Sequence, residues 1–152
     1  MNVDFVGDWI VQGRREEFTA FIRQHNLDHI VEVHGQIANR EVIKNFLVEA
    51  DVFVLPTYYP NEAQPFAIIE AMNAGTPVIA TPHASIPEYV TNENGYLVNK
   101  KSPQQIAQAI EALSDVKNWK KKAQAARSTY ERKFSPDAVG EQFVESVLTG
   151  GK

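Results

Sequence analysis

Short apolar runs alternate along this chain with segments in which apolar residues recur every three or four positions. Runs rich in β-branched residues are typical of strands, whereas the wider spacing is typical of amphipathic helices. The residues between 51 and 56 are almost continuously apolar, which indicates burial on both faces, as in a parallel sheet. Strands are predicted at residues 3–6, 29–33, 51–56, 77–81 and 95–98.

Between the predicted strands, the three-to-four spacing predicts helices. Two of them have a clear start, because Ser102-Pro103 and Ser135-Pro136 each place a capping residue before a proline. In the last helix, Val139, Phe143 and Val147 are expected to face inward. The predicted helices lie near residues 13–25, 39–49 and 65–74, from Ser102 onward, around Trp119 to Tyr130, and from Ser135 onward. This alternation predicts an α/β domain with a Rossmann-like, doubly wound parallel sheet of about five strands.

Composition narrows the class of protein. A length of 152 residues suits a single domain, here taken as residues 1–152. With 43% hydrophobic and 22% charged residues, the chain has the composition of a globular protein rather than a disordered one. Fifteen Lys and Arg against nineteen Asp and Glu give a net charge of −4, which argues against nucleic acid as a partner. The absence of cysteine excludes disulfides and thiolate metal sites, and fits a cytoplasmic location.

The sequence also argues against a membrane span, a secretory signal and a functional basic patch. No stretch approaches the ~20 apolar residues of a membrane-spanning helix, and the N-terminus lacks the pattern of a secretory signal. The basic run of Lys117, Lys120, Lys121 and Lys122 is interpreted as the solvated face of a helix.

In open parallel sheets, ligands bind beyond the carboxyl ends of the strands. One such end continues through a polar loop into the helix near Pro65, whose first-turn N–H groups favour phosphate. Glu62 lies in that loop, and Glu70 lies within the helix among apolar residues. Because an unpaired buried charge is costly, Glu70 is a candidate acceptor for the vicinal hydroxyls of a ribose. The alternative is an ordinary surface or ion-paired glutamate.

The segment that begins at Glu62 and continues from Glu70 as EAMNAGTPVI resembles the signature of glycosyltransferase family four. Members of this family are retaining enzymes of the GT-B fold. The resemblance extends over roughly residues 3 to 148. It includes the residues 5–8, 33–35, 50–56, 87–90 and 94–98, in that order.

The resemblance implies a role for each matching position. Glu62 is implied to be the catalytic residue that contacts the transferred sugar, and Glu70 to bind the donor's ribose. The backbone after Phe66 is implied to hold the diphosphate, and the turn after the second strand to flank the base. The implied donor-binding residues are Gly35, Gln36, Ile37, Phe66, Ala67, Ile68 and Glu70.

The implied ligand is a nucleoside-diphosphate sugar, and no cofactor or metal is expected. In the family, a helix dipole and basic side chains neutralise the phosphates. The sequence also shows no cluster of Asp and His typical of a divalent-metal site.

The chain departs from the family pattern in several places. Ala67 stands where the family usually has glycine, and Ala84 and Ser85 stand where it often has two glycines. His83, next to them, is interpreted as a loop residue rather than a catalyst.

The family's N-terminal acceptor domain, and the first strand with the Arg and Lys that clamp the diphosphate, have no counterpart here. We therefore expect a truncated donor-binding domain that cannot transfer sugar alone. It would reach a membrane only indirectly, through the full-length protein, at the inner face.

Three other classes of protein have related α/β folds. A nucleotide-sugar epimerase half has a related fold but lacks the context of Glu70-Ala71-Met72. A nicotinamide-binding domain is rejected, because Gly7 and Gly13 do not form the required glycine-rich turn. A non-enzymatic α/β interaction module remains open, and titration with nucleotides distinguishes it from a donor-binding domain.

Overall fold

The computed structural model describes residues 1–149, and every predicted strand and helix is present among them, with β2 two residues later than predicted. In chain order, the elements are β1 (Val3–Val6), α1 (Arg14–Gln24), β2 (Val31–Gly35), α2 (Arg40–Glu49), β3 (Phe53–Leu55), α3 (Phe66–Ala74), β4 (Val78–Ala80), β5 (Gly95–Leu97), α4 (Pro103–Leu113), α5 (Val116–Lys133) and α6 (Pro136–Leu148). A short 3₁₀ turn, Ile86–Glu88, lies between β4 and β5.

The chain divides within α2, after Ile43, into two compact units. In the first unit, β1 and β2 pair in parallel, with Phe5 opposite Val33. The ring of Phe5 packs against Phe18 of α1, with centroids 4.5 Å apart. Because strand residues alternate between faces, Phe5 marks the side of β1 that is covered by α1. Ile22, one turn after Phe18, is the buried residue of that helix.

The second unit contains a three-stranded parallel sheet with the strand order β3-β4-β5. All three residues of the central strand, β4, are completely buried, as expected for a parallel strand covered on both faces. One core cluster joins the strands to α4, and its buried members are Ile79, Val98, Ala109 and Leu113. The helix α3 packs against α5 and against β3 and β4.

The grouping of the strands differs from the prediction. The strands run parallel, as predicted. Among residues 1–149, however, they form a two-stranded and a three-stranded sheet rather than one five-stranded sheet. Among the described residues, no strand of the first sheet pairs with a strand of the second.

The orientation predicted for α6 is wrong. Val139, Phe143 and Val147 were expected to face inward, but they are 50%, 68% and 63% exposed, and no described residue of α6 is buried. The spacing of these residues does produce an apolar stripe. No element among residues 1–149 covers it.

The interpretation of the basic run on α5 is wrong for one of its four residues. Lys122 is buried, and its ammonium group donates to the carbonyl of Asn92 at 2.5 Å and to that of Gly95 at 3.3 Å. It also lies 4.2 Å from the centre of the Tyr96 ring. These contacts replace the water that the charge loses on burial, and they attach α5 to the turn that leads into β5.

Candidate functional site

Glu62 lies in the loop that follows β3, at the carboxyl end of the three-stranded sheet, as predicted. Its side chain is half-buried. The hydroxyl of Thr57, at the start of the same loop, donates to the Glu62 carboxylate over 3.3 Å. The carboxylate is therefore held at the edge of the strands while part of it remains accessible.

The loop after β4, residues 81–85, is joined to the loop of Glu62 by side-chain hydrogen bonds and is called the brace loop below. The fully buried hydroxyl of Thr81 donates to the Thr57 carbonyl. Further along, the Ser85 hydroxyl donates to the Ala63 carbonyl at 2.7 Å. These bonds lie on either side of Glu62 in the sequence, so the backbone that carries the glutamate is fixed at both ends.

His83 takes part in the same brace. Its Nε2 lies 2.7 Å from the carbonyl oxygen of Tyr59. Because a carbonyl only accepts, Nε2 must carry the hydrogen, which leaves Nδ1 to accept from the Lys100 ammonium 3.3 Å away. His83 is thus a loop residue, as interpreted from the sequence, and its ring links the loops that follow all three strands.

The N-terminus of α3 is the helix end at which the sequence predicts that the phosphates bind. Pro65 precedes the first turn, and no side chain caps it. The helix dipole places partial positive charge there. The ring of Phe66 is 74% exposed, whereas the side chain of Ile68 is completely buried. The Ile68 N–H donates to the Pro65 carbonyl at 3.1 Å.

Glu70 shares a helix face with the exposed ring of Phe66. The two residues are four positions apart on α3, which places them one above the other. Ile68 and Met72, on the opposite face, are completely buried. Glu70 itself is half-buried, so this part of α3 presents a carboxylate and an aromatic ring away from the core.

The residues implied to flank the base lie in the first unit, at the end of β2. Gly35 is buried and adopts φ +72°, a left-handed conformation that favours glycine. Gln36 after it is exposed, and Ile37 is half-buried. That these residues share one pocket with Glu62 remains a prediction.

One departure from the family pattern has a visible backbone consequence. Ala84, where the family often has glycine, adopts φ +48° in the brace loop between His83 and Ser85. A left-handed conformation costs an L-residue with a side chain about 1–2 kcal/mol. The structure therefore accounts for the glycine of the family pattern as a backbone requirement.

The expectation that no Asp and His cluster is present needs correction. Asp4, Glu32 and His34 offer ligand atoms within 4.8 Å of one another on β1 and β2. However, Asp4 lies 2.7 Å from Nε2 of the ring, and Glu32 lies 3.7 Å from Nδ1. The first of these distances is that of a hydrogen bond, whereas the second is longer than one.

Tyr89 is a residue of the site that sequence reasoning missed. Burial raises the pKa of its hydroxyl, a contact with Ser85 lowers it, and the carboxylates of Glu62 and Glu88 raise it further. The contact with Ser85 does not have the geometry of a hydrogen bond. Among residues 1–149, the buried hydroxyl of Tyr89 therefore has no hydrogen-bond partner. The sequence offered one signal, namely a tyrosine directly after the Pro87-Glu88 pair.

The described chain has no candidate for a bilayer-crossing segment. None of the helices among residues 1–149 combines the length and the apolar character that such a segment requires.

Comparison with known proteins identifies the family. A family model described as glycosyl transferases group 1 matches residues 2–115. WcaL of Escherichia coli K12, named as a glycosyltransferase of colanic acid biosynthesis, is 31% identical over 145 residues, which are 91% of this chain and 34% of WcaL. The chain thus spans about a third of the length of this curated relative.

Solved structures agree with this assignment. The C-terminal domain of LpcC, a glycosyl transferase group 1 family protein of Francisella tularensis, is 31% identical, with a TM-score of 0.72 over 82% of this chain and 64% of that one. HepE of Anabaena, solved in complex with UDP, is 22% identical, with a TM-score of 0.83 over 98% of this chain and 41% of HepE. These likenesses confirm the predicted α/β, Rossmann-like fold of GT-B enzymes. The chain therefore belongs to the group 1 family of glycosyl transferases.

Proposed function

We propose that this chain is the donor-binding part of a retaining glycosyltransferase of family four. The full enzyme would move a sugar from a nucleoside-diphosphate sugar to a glycan, lipid or small-molecule acceptor. The relative WcaL is named for the synthesis of a surface polysaccharide, which supports polysaccharide or cell-surface glycan biosynthesis as the setting. The working location would be cytoplasmic, and any contact with the membrane would be made through the rest of the protein.

The position of Glu62 is the observation that carries this proposal. The glutamate is fixed by Thr57 and by the brace loop at the carboxyl end of the strands, where α/β folds bind ligands. In sequence it lies shortly before the N-terminus of α3, which has Pro65 as its cap residue and no side-chain cap. A carboxylate for the sugar and a helix end for the phosphates are the two groups that a nucleotide-sugar site requires.

In this proposal, each group has a defined task. Glu62 contacts the transferred sugar, and Glu70 accepts hydrogen bonds from the ribose hydroxyls. The amide of Ala67 and, once its N–H leaves the Pro65 carbonyl, the amide of Ile68 hold the diphosphate, and residues 35–37 flank the base. When the bond from the anomeric carbon to the diphosphate breaks, negative charge grows on the leaving group. The positive end of α3 stabilises that charge without a metal ion or cofactor.

Calorimetric titration of the chain with UDP, GDP and ADP, and with their glucose or mannose derivatives, tests the proposal. We expect one nucleotide series to bind, weakly, because charge-assisted contacts to the phosphates from the family's Arg and Lys are missing. HepE was solved with UDP and with UDP-glucose, so the uridine series is the first to test. Binding of no nucleotide would favour the non-enzymatic interaction module instead.

The chain alone is expected to transfer no sugar, because catalysis requires donor and acceptor to be held together. Incubation with radiolabelled nucleotide sugars and common acceptors checks this expectation. Robust transfer by the purified chain would contradict it. Interconversion of the sugar in the absence of an acceptor would support the epimerase alternative. The retaining mechanism is tested on the product of the full-length enzyme, whose anomeric configuration should match that of the donor.

A further inference from the structure

The hydroxyl of Tyr89 is buried without a hydrogen-bond partner among residues 1–149. The residue follows the 3₁₀ turn after the brace loop and is only 3% exposed. Because a buried hydroxyl loses its hydrogen bonds to water, an unpartnered one is costly, and native proteins rarely retain one without a reason.

Packing explains the ring of Tyr89 but not its hydroxyl. The ring meets Phe134 edge to face, with centroids 5.3 Å apart. The carbonyl of Tyr89 accepts from the buried side chain of Asn94 at 2.7 Å. A phenylalanine at this position would keep both contacts, so neither requires the hydroxyl group.

The three side chains that act on the hydroxyl, Ser85, Glu62 and Glu88, can each accept a hydrogen bond. Ser85 already gives its hydrogen to the Ala63 carbonyl, so it presents only lone pairs to Tyr89. Glu62 and Glu88 are the carboxylates whose charge acts on the hydroxyl. Since burial and these charges raise the pKa of Tyr89, the hydroxyl keeps its proton at neutral pH. The segment that leads to Tyr89 is attached to the residue next to Glu62, because both the hydroxyl and the N–H of Ser85 donate to the Ala63 carbonyl. A buried hydrogen-bond donor is thus held near the loop of the proposed catalytic glutamate.

We propose that Tyr89 is a positioning residue for Glu62, and that its hydroxyl donates to the Glu62 carboxylate when the sugar of a nucleoside-diphosphate sugar is bound. This inference rests on the proposed function. Thr57 orients the carboxylate from within its own loop, and Tyr89 would orient it from the segment after β4. Hydrogen bonds at Thr57 and Ala63 hold the backbone on either side of Glu62, so the carboxylate would approach the hydroxyl by rotation of its half-buried side chain.

The test compares Tyr89→Phe with the matched control Tyr130→Phe, which lies on α5 and has no role in the site. Each variant is titrated with UDP and UDP-glucose, or with the corresponding guanosine or adenosine pair if the wild type binds that pair instead. For Tyr89→Phe we expect affinity for the nucleotide sugar to fall about three- to tenfold, with no change for the bare nucleotide. The melting temperature should stay the same or rise, because an unpartnered hydroxyl is removed. Tyr130→Phe should leave both affinities unchanged.

The outcomes distinguish this inference from the proposed function. If the wild type binds no nucleotide and no nucleotide sugar, the proposed function fails. If the wild type binds and Tyr89→Phe binds the sugar derivative equally well, the role of Tyr89 is refuted while the proposed function stands. An equal loss for bare nucleotide and nucleotide sugar, or a marked fall in melting temperature, would also refute it.

Discussion

The backbone of Gly95 runs so close to Val78 that a Cβ at position 95 would lie 2.1 Å from the Val78 carbonyl oxygen. The two residues are directly opposite in the parallel register of β4 and β5. No real Cβ contact is this short, so only glycine allows β5 to pair at this point. The site depends on this pairing, because β4 leads directly into the brace loop.

Gly95→Ala is therefore expected to destabilise the fold by about 1–3 kcal/mol or more, through overpacking against backbone that cannot move aside. Urea unfolding followed by circular dichroism measures the change. Gly140→Ala on α6 is the control, because a Cβ there meets no atom within 4 Å. That substitution should stabilise by up to about 1 kcal/mol through helix propensity. Equal stability of the two alanine variants would contradict the role of the Gly95 contact.

Lys122→Met tests the buried lysine of α5. The methionine keeps much of the volume but leaves the carbonyls of Asn92 and Gly95 without their donor. Because these are hydrogen bonds to a charged group, we expect a loss of about 1.5–3 kcal/mol in the free energy of unfolding. Lys120→Met and Lys121→Met, which replace exposed residues of the same helix, should stay within about 0.5 kcal/mol of the wild type. Indistinguishable unfolding curves for all three variants would show that Lys122 is solvated after all.

Lys122 and α6 mark the limit of what periodicity predicts. The spacing of Val139, Phe143 and Val147 was recognised correctly as a helical stripe, but spacing does not say whether another element covers that stripe. Likewise, a run of lysines is usually solvated, and only the turn at Asn92 to Gly95, far away in sequence, makes Lys122 an interior residue.

For a related physical reason, the sequence predicts the place of Glu62 but not the hydrogen bonds that hold its loop. Glu62 in a loop after a strand follows from the order of predicted elements, and its proposed role follows from the family resemblance. The brace does not follow from either, because it joins Thr57 to Thr81 and Ala63 to Ser85, pairs more than twenty residues apart. Which hydroxyl meets which carbonyl depends on the course of two loops, and no local pattern encodes that course.

Ala84→Gly should relieve the backbone strain in the brace loop. Alanine at φ +48° costs about 1–2 kcal/mol, whereas glycine adds roughly 0.5–1 kcal/mol of unfolded-state entropy. The net effect is expected to lie between neutral and about 1.5 kcal/mol of stabilisation, measured by urea unfolding. Ala107→Gly, at an exposed interior position of α4, is the control and should cost about 1 kcal/mol. A cost at Ala84 as large as that at Ala107 would argue against strain in the loop.

Glu70→Gln tests the proposed ribose contact. The substitution keeps the shape of the side chain but removes the charge that strengthens its bonds to hydroxyl groups. A hydrogen bond to a charged group contributes about 1.5–3 kcal/mol, so nucleotide affinity should fall roughly tenfold or more. Glu70 is half-buried and glutamine still accepts hydrogen bonds, so the melting temperature without ligand should hardly change. Glu111→Gln, at an exposed position of α4, is the control and should change neither quantity. Calorimetric titration beside thermal melting separates the two roles, because unchanged affinity with a large loss of stability would make Glu70 a structural residue of α3.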